Sequence, residues 1–96
     1  MATGRKTGKT TKTSAAPVEV ERVQTGVRLE KRLLKVLKGL AEYLDLSLGD
    51  LLEGVALHAL ENKPPFSSAT LKRIQDLKKV YGLDIGAGDS HRLADR

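Results

Sequence analysis

The chain has 96 residues, no cysteine and a formal net charge of +5. That length holds at most one small domain with tails, and without cysteine the chain forms neither disulfide bonds nor cysteine-ligated metal sites. No apolar run reaches the roughly 18 residues that a membrane-spanning helix needs, so no membrane partner is expected. The amino terminus lacks the apolar stretch of a secretory signal, which predicts a cytoplasmic protein. The positive charge allows an anionic partner, such as nucleic acid or a membrane surface, but charge alone does not choose between them.

Residues 1–17 are predicted to be a flexible basic arm. The arm carries no acid, and its cations are Arg5, Lys6, Lys9 and Lys12. Because it has so little to bury, we expect it to be disordered and to attract DNA without sequence preference. The stretch Gly4–Thr10 is similar to a phosphate-binding loop, but three residues separate its glycines where that motif has four. Nucleotide binding is therefore not predicted.

A short strand is predicted from Val23 to Leu29, where polar and apolar residues alternate. The face to be buried carries Val23, Thr25, Val27 and Leu29. The opposite face carries Arg22, Gln24, Gly26 and Arg28. The rest of the chain offers no convincing second strand.

A first helix is predicted to follow Glu30 and to continue to about Leu44. Glu30 suits a first turn by its charge, although no residue of the usual capping types stands there. The apolar stripe of this helix consists of Leu33, Leu34, Leu37, Leu40, Ala41 and Leu44. Asp45 then tolerates the left-handed conformation that ends a helix, though less well than glycine.

A second helix is predicted from the N-cap Ser47, with Asp50 as the acidic partner of a capping box. It ends by about Lys63, because two prolines follow. Its stripe consists of Leu48, Leu51, Leu52, Val55, Ala56, Ala59 and Leu60. Gly54 costs about 1 kcal/mol relative to alanine inside a helix, so a close approach by another helix is predicted there.

Residues 64–84 are predicted to be a helical extension and residues 85–96 a flexible, Gly-rich tail. The helix spans Ser68 to Tyr81, with Ser67 or Ser68 as its N-cap and Gly82 at its carboxy-terminal end. One side of it carries Leu71, Ile74, Leu77 and Tyr81.

The predicted strand needs a partner, and the strand with its two helices, within residues 18–63, spans only about 40 residues. An unpaired strand leaves backbone groups unsatisfied. A homodimer solves both problems if Val27 to Leu29 pairs antiparallel with the same segment of a second copy. The shared core is then predicted to contain Val23, Thr25, Val27, Leu29, Leu33, Leu37, Leu51, Leu52 and Val55.

This order of elements resembles the ribbon-helix-helix (MetJ/Arc-type) transcription regulators, which read DNA with a β-ribbon. The resemblance covers about Val23 to Asn62 and is carried by VQTGVRL, EKRLLKVLKGLAEYL, DLS and LGDLLEGVALHALEN. It implies a mainly α fold with one short β-strand. It also implies an intertwined homodimer with a two-stranded antiparallel ribbon, to which this chain adds a carboxy-terminal helix.

The resemblance implies that outward-facing strand residues enter the major groove of double-stranded DNA. By position these are Gln24, Gly26 and Arg28, although Gly26 has no side chain with which to read a base. Arginine pairs in bidentate fashion with guanine, and glutamine with adenine. The alternative interpretation is a solvated sheet face.

Phosphate contacts are implied at the start of the second helix, where backbone N–H groups of Ser47 and Leu48 face the DNA. The chain departs from the family in the turn before this helix, where Asp45 stands at a position that usually holds glycine. Lys31 and Arg32 are expected to touch flanking phosphates, and a solvated helix face explains them equally well.

The predicted function is that of a sequence-specific transcription regulator, a repressor by family resemblance, acting in the cytoplasm on the nucleoid. An enzyme is not expected, since His58 and His91 lie far apart and no cofactor or metal site is indicated. One alternative is an antitoxin-like DNA-binding protein whose carboxy-terminal segment binds a partner protein. We favour packing of that helix on its own dimer. The other alternative is a dimerisation module that never touches DNA.

Overall fold

The computed structural model describes residues 16–96. The cations predicted for the arm, Arg5, Lys6, Lys9 and Lys12, lie outside the described residues. Three helices follow in order, α1 (Lys31–Leu44), α2 (Leu48–Leu60) and α3 (Ser68–Tyr81), with a short 3-10 helix at Ala87–Asp89. The described part of the chain is thus mainly helical, and residues 16–96 contain no strand.

The leading segment, residues 16–29, precedes α1 without regular secondary structure and is exposed along its length. Val23 and Val27 are 80% and 72% exposed. A single chain contains no second copy of this segment, so a strand that pairs only between two copies has no ladder partner here. Pairing of the leading segment therefore stays a prediction.

Glu30 is the N-cap of α1, a role that sequence analysis did not assign to it. Its carboxylate accepts a hydrogen bond from the backbone N–H of Leu33 at 2.8 Å, which lowers the pKa of Glu30 by favouring the charged form. The longer glutamate side chain reaches the same donor that Ser or Asp usually bonds. At the other end, Asp45 adopts the predicted left-handed conformation, with φ of 59°.

Serine caps begin the other two helices, as predicted. The hydroxyl of Ser47 accepts from the N–H of Asp50 at 3.1 Å, and that of Ser67 accepts from the N–H of Thr70 at 3.2 Å. α3 ends at the predicted left-handed Gly82, with φ of 66°. α2 ends at Leu60, before the predicted limit of Lys63.

α1 is the central helix, because it packs against both α2 and α3 while those two do not pack against each other. The buried core is formed by Leu40, Ala41 and Leu51. Packed against it are Leu37, Leu44, Leu46, Val55, Phe66, Ile74 and Leu77. α3 thus packs on its own chain, the arrangement that the sequence favours.

α3 runs antiparallel to α1. At one end Arg32 donates to the carbonyl of Gly82 at 2.8 Å, and at the other the Arg73 guanidinium carbon lies 4.6 Å from the centre of the Tyr43 ring. Midway, a Cβ on Gly39 would lie 3.0 Å from Leu77 Cδ2. This second packing face explains why Val36, outside the predicted stripe, is only 4% exposed.

α2 is covered on one side alone. The residues of α2 are apolar or small except for Asp50, Glu53 and His58. Even so, Leu51 is the one buried side chain of this helix. Apart from its chain neighbours and the backbone of its own helix, no heavy atom lies within 4 Å of a Cβ built on Gly54, so the predicted close helix approach does not occur there within the described chain. It occurs at Gly39 instead. No helix of residues 16–96 has both the length and the apolar character needed to cross a bilayer.

Candidate nucleic-acid interface

The three predicted base-reading positions lie on the leading segment and are exposed. Open space surrounds Gly26, where a Cβ would have no heavy atom of the described chain within 4 Å. The side chain of Arg28 is 84% exposed, and its guanidinium pairs with the carboxylate of Asp95. These positions are therefore accessible to a large ligand, and Arg28 is accessible once Asp95 is displaced.

An ion pair fastens the leading segment to α2. Arg22 donates two hydrogen bonds to the carboxylate of Glu53, from Nε at 2.9 Å and from Nη2 at 3.0 Å. These bonds lower the pKa of Glu53 and raise that of Arg22. The pair was not predicted from the sequence, because two charged residues 31 positions apart carry no periodic signal. The pair places Arg22 of the leading segment beside the second turn of α2.

The start of α2 offers free backbone donors. The first N–H groups of a helix have no partner within it, which applies here to Leu48 and Gly49. The helix dipole adds positive potential at this end. Ser47 already uses its hydroxyl as a cap, and the nearby Asp50 carboxylate opposes an anion. Any phosphate contact here thus depends on the main chain.

Lys31 and Arg32, adjacent in sequence, have different surroundings. Arg32 is held by Glu30 at 3.1 Å, by Asp84 at 2.8 Å and by the Gly82 carbonyl at 2.8 Å, so it ties α1 to the end of α3. Lys31 is exposed, and no carboxylate of the described residues pairs with it. Of these two cations, only Lys31 therefore has a charged group available to DNA.

Much of the predicted dimer core is uncovered in the single chain. Leu51 is buried, and Leu37 and Val55 pack against the same cluster as Leu51. Leu33 and Leu52 are half-buried, and Val23, Thr25, Val27 and Leu29 are exposed. On the far half of α2, which a single chain leaves open, Leu57 and Leu60 are 64% and 83% exposed.

The histidines lie in unrelated surroundings. Nδ1 of His58 is 2.7 Å from the Gly54 carbonyl oxygen on the preceding turn, which places it on a helix flank. His91 lies in the tail with a positive φ of 68°. Across the part of the chain that the structure describes, no three His, Asp or Glu side chains are grouped so as to hold a metal ion.

Comparison of the chain with family models, curated proteins and solved structures finds no match. The functional interpretation therefore rests on the residues of this chain.

Proposed function

We propose that the protein is a sequence-specific, DNA-binding transcription regulator that acts as a repressor. Two copies pair their leading segments as an antiparallel ribbon, and the ribbon enters the major groove. The observation that carries this proposal is the leading segment itself, which alternates apolar and polar residues and is exposed on both faces. It adjoins a helix pair whose apolar surface is only partly covered.

Dimerisation is supported by the apolar area left open on α2 and on the leading segment. A helix that is apolar around most of its circumference is normally buried. Fully burying a Val or Leu side chain contributes about 1.5–3 kcal/mol, and Val23, Val27 and Leu60 are among those open to cover. Pairing two leading segments would also supply the backbone partners that one chain lacks.

DNA reading is supported by the polar face of the leading segment. A two-stranded ribbon fits the major groove, where arginine bonds the O6 and N7 of guanine, and glutamine the N6 and N7 of adenine. Arg28 and Gln24 are the side chains that we assign to these contacts. The Arg28–Asp95 pair is exposed on both sides and therefore contributes little, so DNA would displace Asp95 readily.

Phosphate binding is assigned to the backbone at Ser47 and Leu48 and to Lys31. We assign Arg32 a structural role, because its guanidinium already bonds three groups that join α1 to α3. Lys31 is the better phosphate ligand of the two, since its ammonium group has no such partners among the described residues.

The antitoxin-like alternative is less favoured by the packing of α3. A protein that captured the inner face of α3 would have to separate Leu77 from Gly39 and break the contacts of Arg32. A partner protein that purifies with this chain in fixed ratio would favour that alternative.

The experiment that tests the proposal is selection of bound duplexes from a random pool, followed by measurement of the Arg28→Lys variant. We expect a palindromic or direct-repeat consensus for the wild type. Arg28→Lys keeps the charge but loses the planar fork, so binding to random DNA should persist while operator preference falls about tenfold or more per dimer. Arg92→Lys, an exposed arginine in the tail, is the matched control. No enriched sequence, or equal operator preference in all three proteins, would refute the proposal.

A further inference from the structure

Positive charge is concentrated on α1 and α3. Together these two helices carry eight cations and only two carboxylates, Glu42 and Asp76, whereas α2 carries two carboxylates and no Lys or Arg. Within residues 16–96, seven of these eight cations have no carboxylate within 4.0 Å. Elsewhere in the described residues, every cation but the last, Arg96, forms an ion pair. The unbalanced charge is therefore concentrated on one pair of helices.

Four of these cations form a row, which we name the cationic strip: Lys31, Lys35, Lys38 and Arg73. The three lysines are exposed and follow one side of α1 at a spacing of four and then three residues, which places them on the same face, where the exposed Glu42 follows four residues after Lys38. Lys35 Nζ lies 5.9 Å from the centre of the Tyr81 ring on α3. Arg73 continues the row beside the other end of α1, where it lies over Tyr43.

Tyrosine rings lie beside two cations of the strip, Lys35 and Arg73. Aromatic faces attract cations and hold the planar guanidinium group in a stacked position, with its N–H edge open to another ligand. From Lys31 to Tyr43 the strip extends for about 18 Å along α1, at a rise of about 1.5 Å per residue. Lys31 follows directly after the leading segment and Glu30, so the strip starts where the proposed ribbon ends.

We propose that the cationic strip is a second DNA surface, which binds the phosphate backbone beside the groove that the ribbon enters. The inference rests on the proposed function and extends it from the ribbon to α1 and α3. Phosphates follow one another along each strand of B-DNA, so a row of cations about 18 Å long can contact several of them. A small anion would need donors that converge on one point, whereas these cations lie in a line.

The test is the variant Lys35→Gln/Lys38→Gln/Arg73→Gln, measured on random and operator duplexes over a range of salt concentrations. The control, Lys63→Gln/Lys79→Gln/Arg92→Gln, loses the same charge at positions outside the strip. Each lost phosphate contact should lower the slope of log K against log salt by about 0.9, so loss of all three contacts in both copies lowers it by about five. Operator preference over random DNA should stay within about twofold, because phosphate contacts carry no sequence information.

A strip variant whose slope equals that of the control would overturn the inference. If the triple variant loses helicity, the double variant Lys35→Gln/Lys38→Gln is measured in the same way, with an expected slope change of about 3.6. Failure of the proposed function alone would give a different result. The wild type would then prefer no DNA sequence, while its slope of log K against log salt on random DNA would still exceed that of the strip variant. Operator duplexes shortened at both ends lack the flanking phosphates that the strip would contact. On these duplexes the wild type should bind no more tightly than the strip variant.

Discussion

At the residue scale, the proposed function gives Arg28 two competing partners, the Asp95 carboxylate and a guanine base. In the free chain its guanidinium pairs with Asp95, near the end of the sequence. A guanine would need the same donors. Because both side chains are highly exposed, the pair opens at little cost, and its contribution is at most about 1 kcal/mol. The tail therefore lowers DNA affinity only modestly.

Replacing Asp95 tests this competition. Asp95→Asn removes the charge that holds Arg28 in each copy, so DNA binding should tighten by up to about fivefold per copy, the equivalent of about 1 kcal/mol. Glu61→Gln removes one negative charge on a different part of the surface and serves as the control in the same binding titration. Equal effects of the two substitutions would mean that only net charge matters.

Glu30 makes stability depend on acid pH. Its pKa is lowered from the ordinary value of 4.5, chiefly by the hydrogen bond from the Leu33 N–H. A lowered pKa means that the contribution is complete above that ordinary value and is lost as pH falls through the lower, folded-state pKa. Glu30→Gln keeps an acceptor oxygen but cannot carry the charge.

Urea unfolding at pH 7 and at pH 3 measures this effect. The stability difference between wild type and Glu30→Gln should be present at pH 7 and shrink as the pH falls below 4.5, because the carboxyl is protonated as pH falls through its folded-state pKa. Glu42→Gln, on the same helix but away from the cap, is the control. If the difference in unfolding free energy between wild type and Glu30→Gln does not change with pH, the charge of Glu30 contributes nothing to stability.

At the element scale, the helices and their ends were largely predictable, because caps and periodicity are local signals. Ser47 and Gly82 occupy the predicted cap positions, and α3 has its predicted bounds. The pairing of α3 with α1 was not predictable, since the side that Val36 and Gly39 present to α3 adds only one further large side chain, the partly exposed Tyr43. The contacts of Arg32 and Arg22 likewise join residues far apart in the chain.

The contact between α1 and α3 is tightest at Gly39. Gly39→Ala should be close to neutral, because a gain of about 1 kcal/mol in helix propensity is offset by crowding of the Leu77 side-chain tip. Gly39→Leu should destabilise the protein by about 1–3 kcal/mol, since the larger side chain has to displace α3. Denaturant titration measures both.

Gly54→Ala is the matched control on α2. Nothing within the described chain lies within 4 Å of the added methyl group, so this change should stabilise by about 0.5–1 kcal/mol. Destabilisation at Gly54 would instead place a helix of a second copy against it. Tolerance of Gly39→Leu without loss of stability would contradict the packing of α3 on α1.

At the scale of the whole molecule, one chain shows a small buried core and a large open apolar surface. Three helices were predicted and are present, and residues 16–96 contain no strand. A single chain cannot show a ribbon formed by two copies, because the two strands of its hydrogen-bond ladder belong to different molecules. The central claim is therefore that two leading segments pair with each other.

Disulfide cross-linking of the Arg28→Cys variant can detect this pairing, because the chain otherwise has no cysteine. If Val27 to Leu29 pairs antiparallel with its copy, the two Cα atoms at position 28 lie about 4.5–5.5 Å apart, within the range of a disulfide bond. Under mild oxidation at micromolar concentration, Arg28→Cys should form a covalent dimer rapidly, while the exposed control Ser90→Cys should not. An Arg28→Cys variant that forms no more covalent dimer than Ser90→Cys would contradict the paired ribbon.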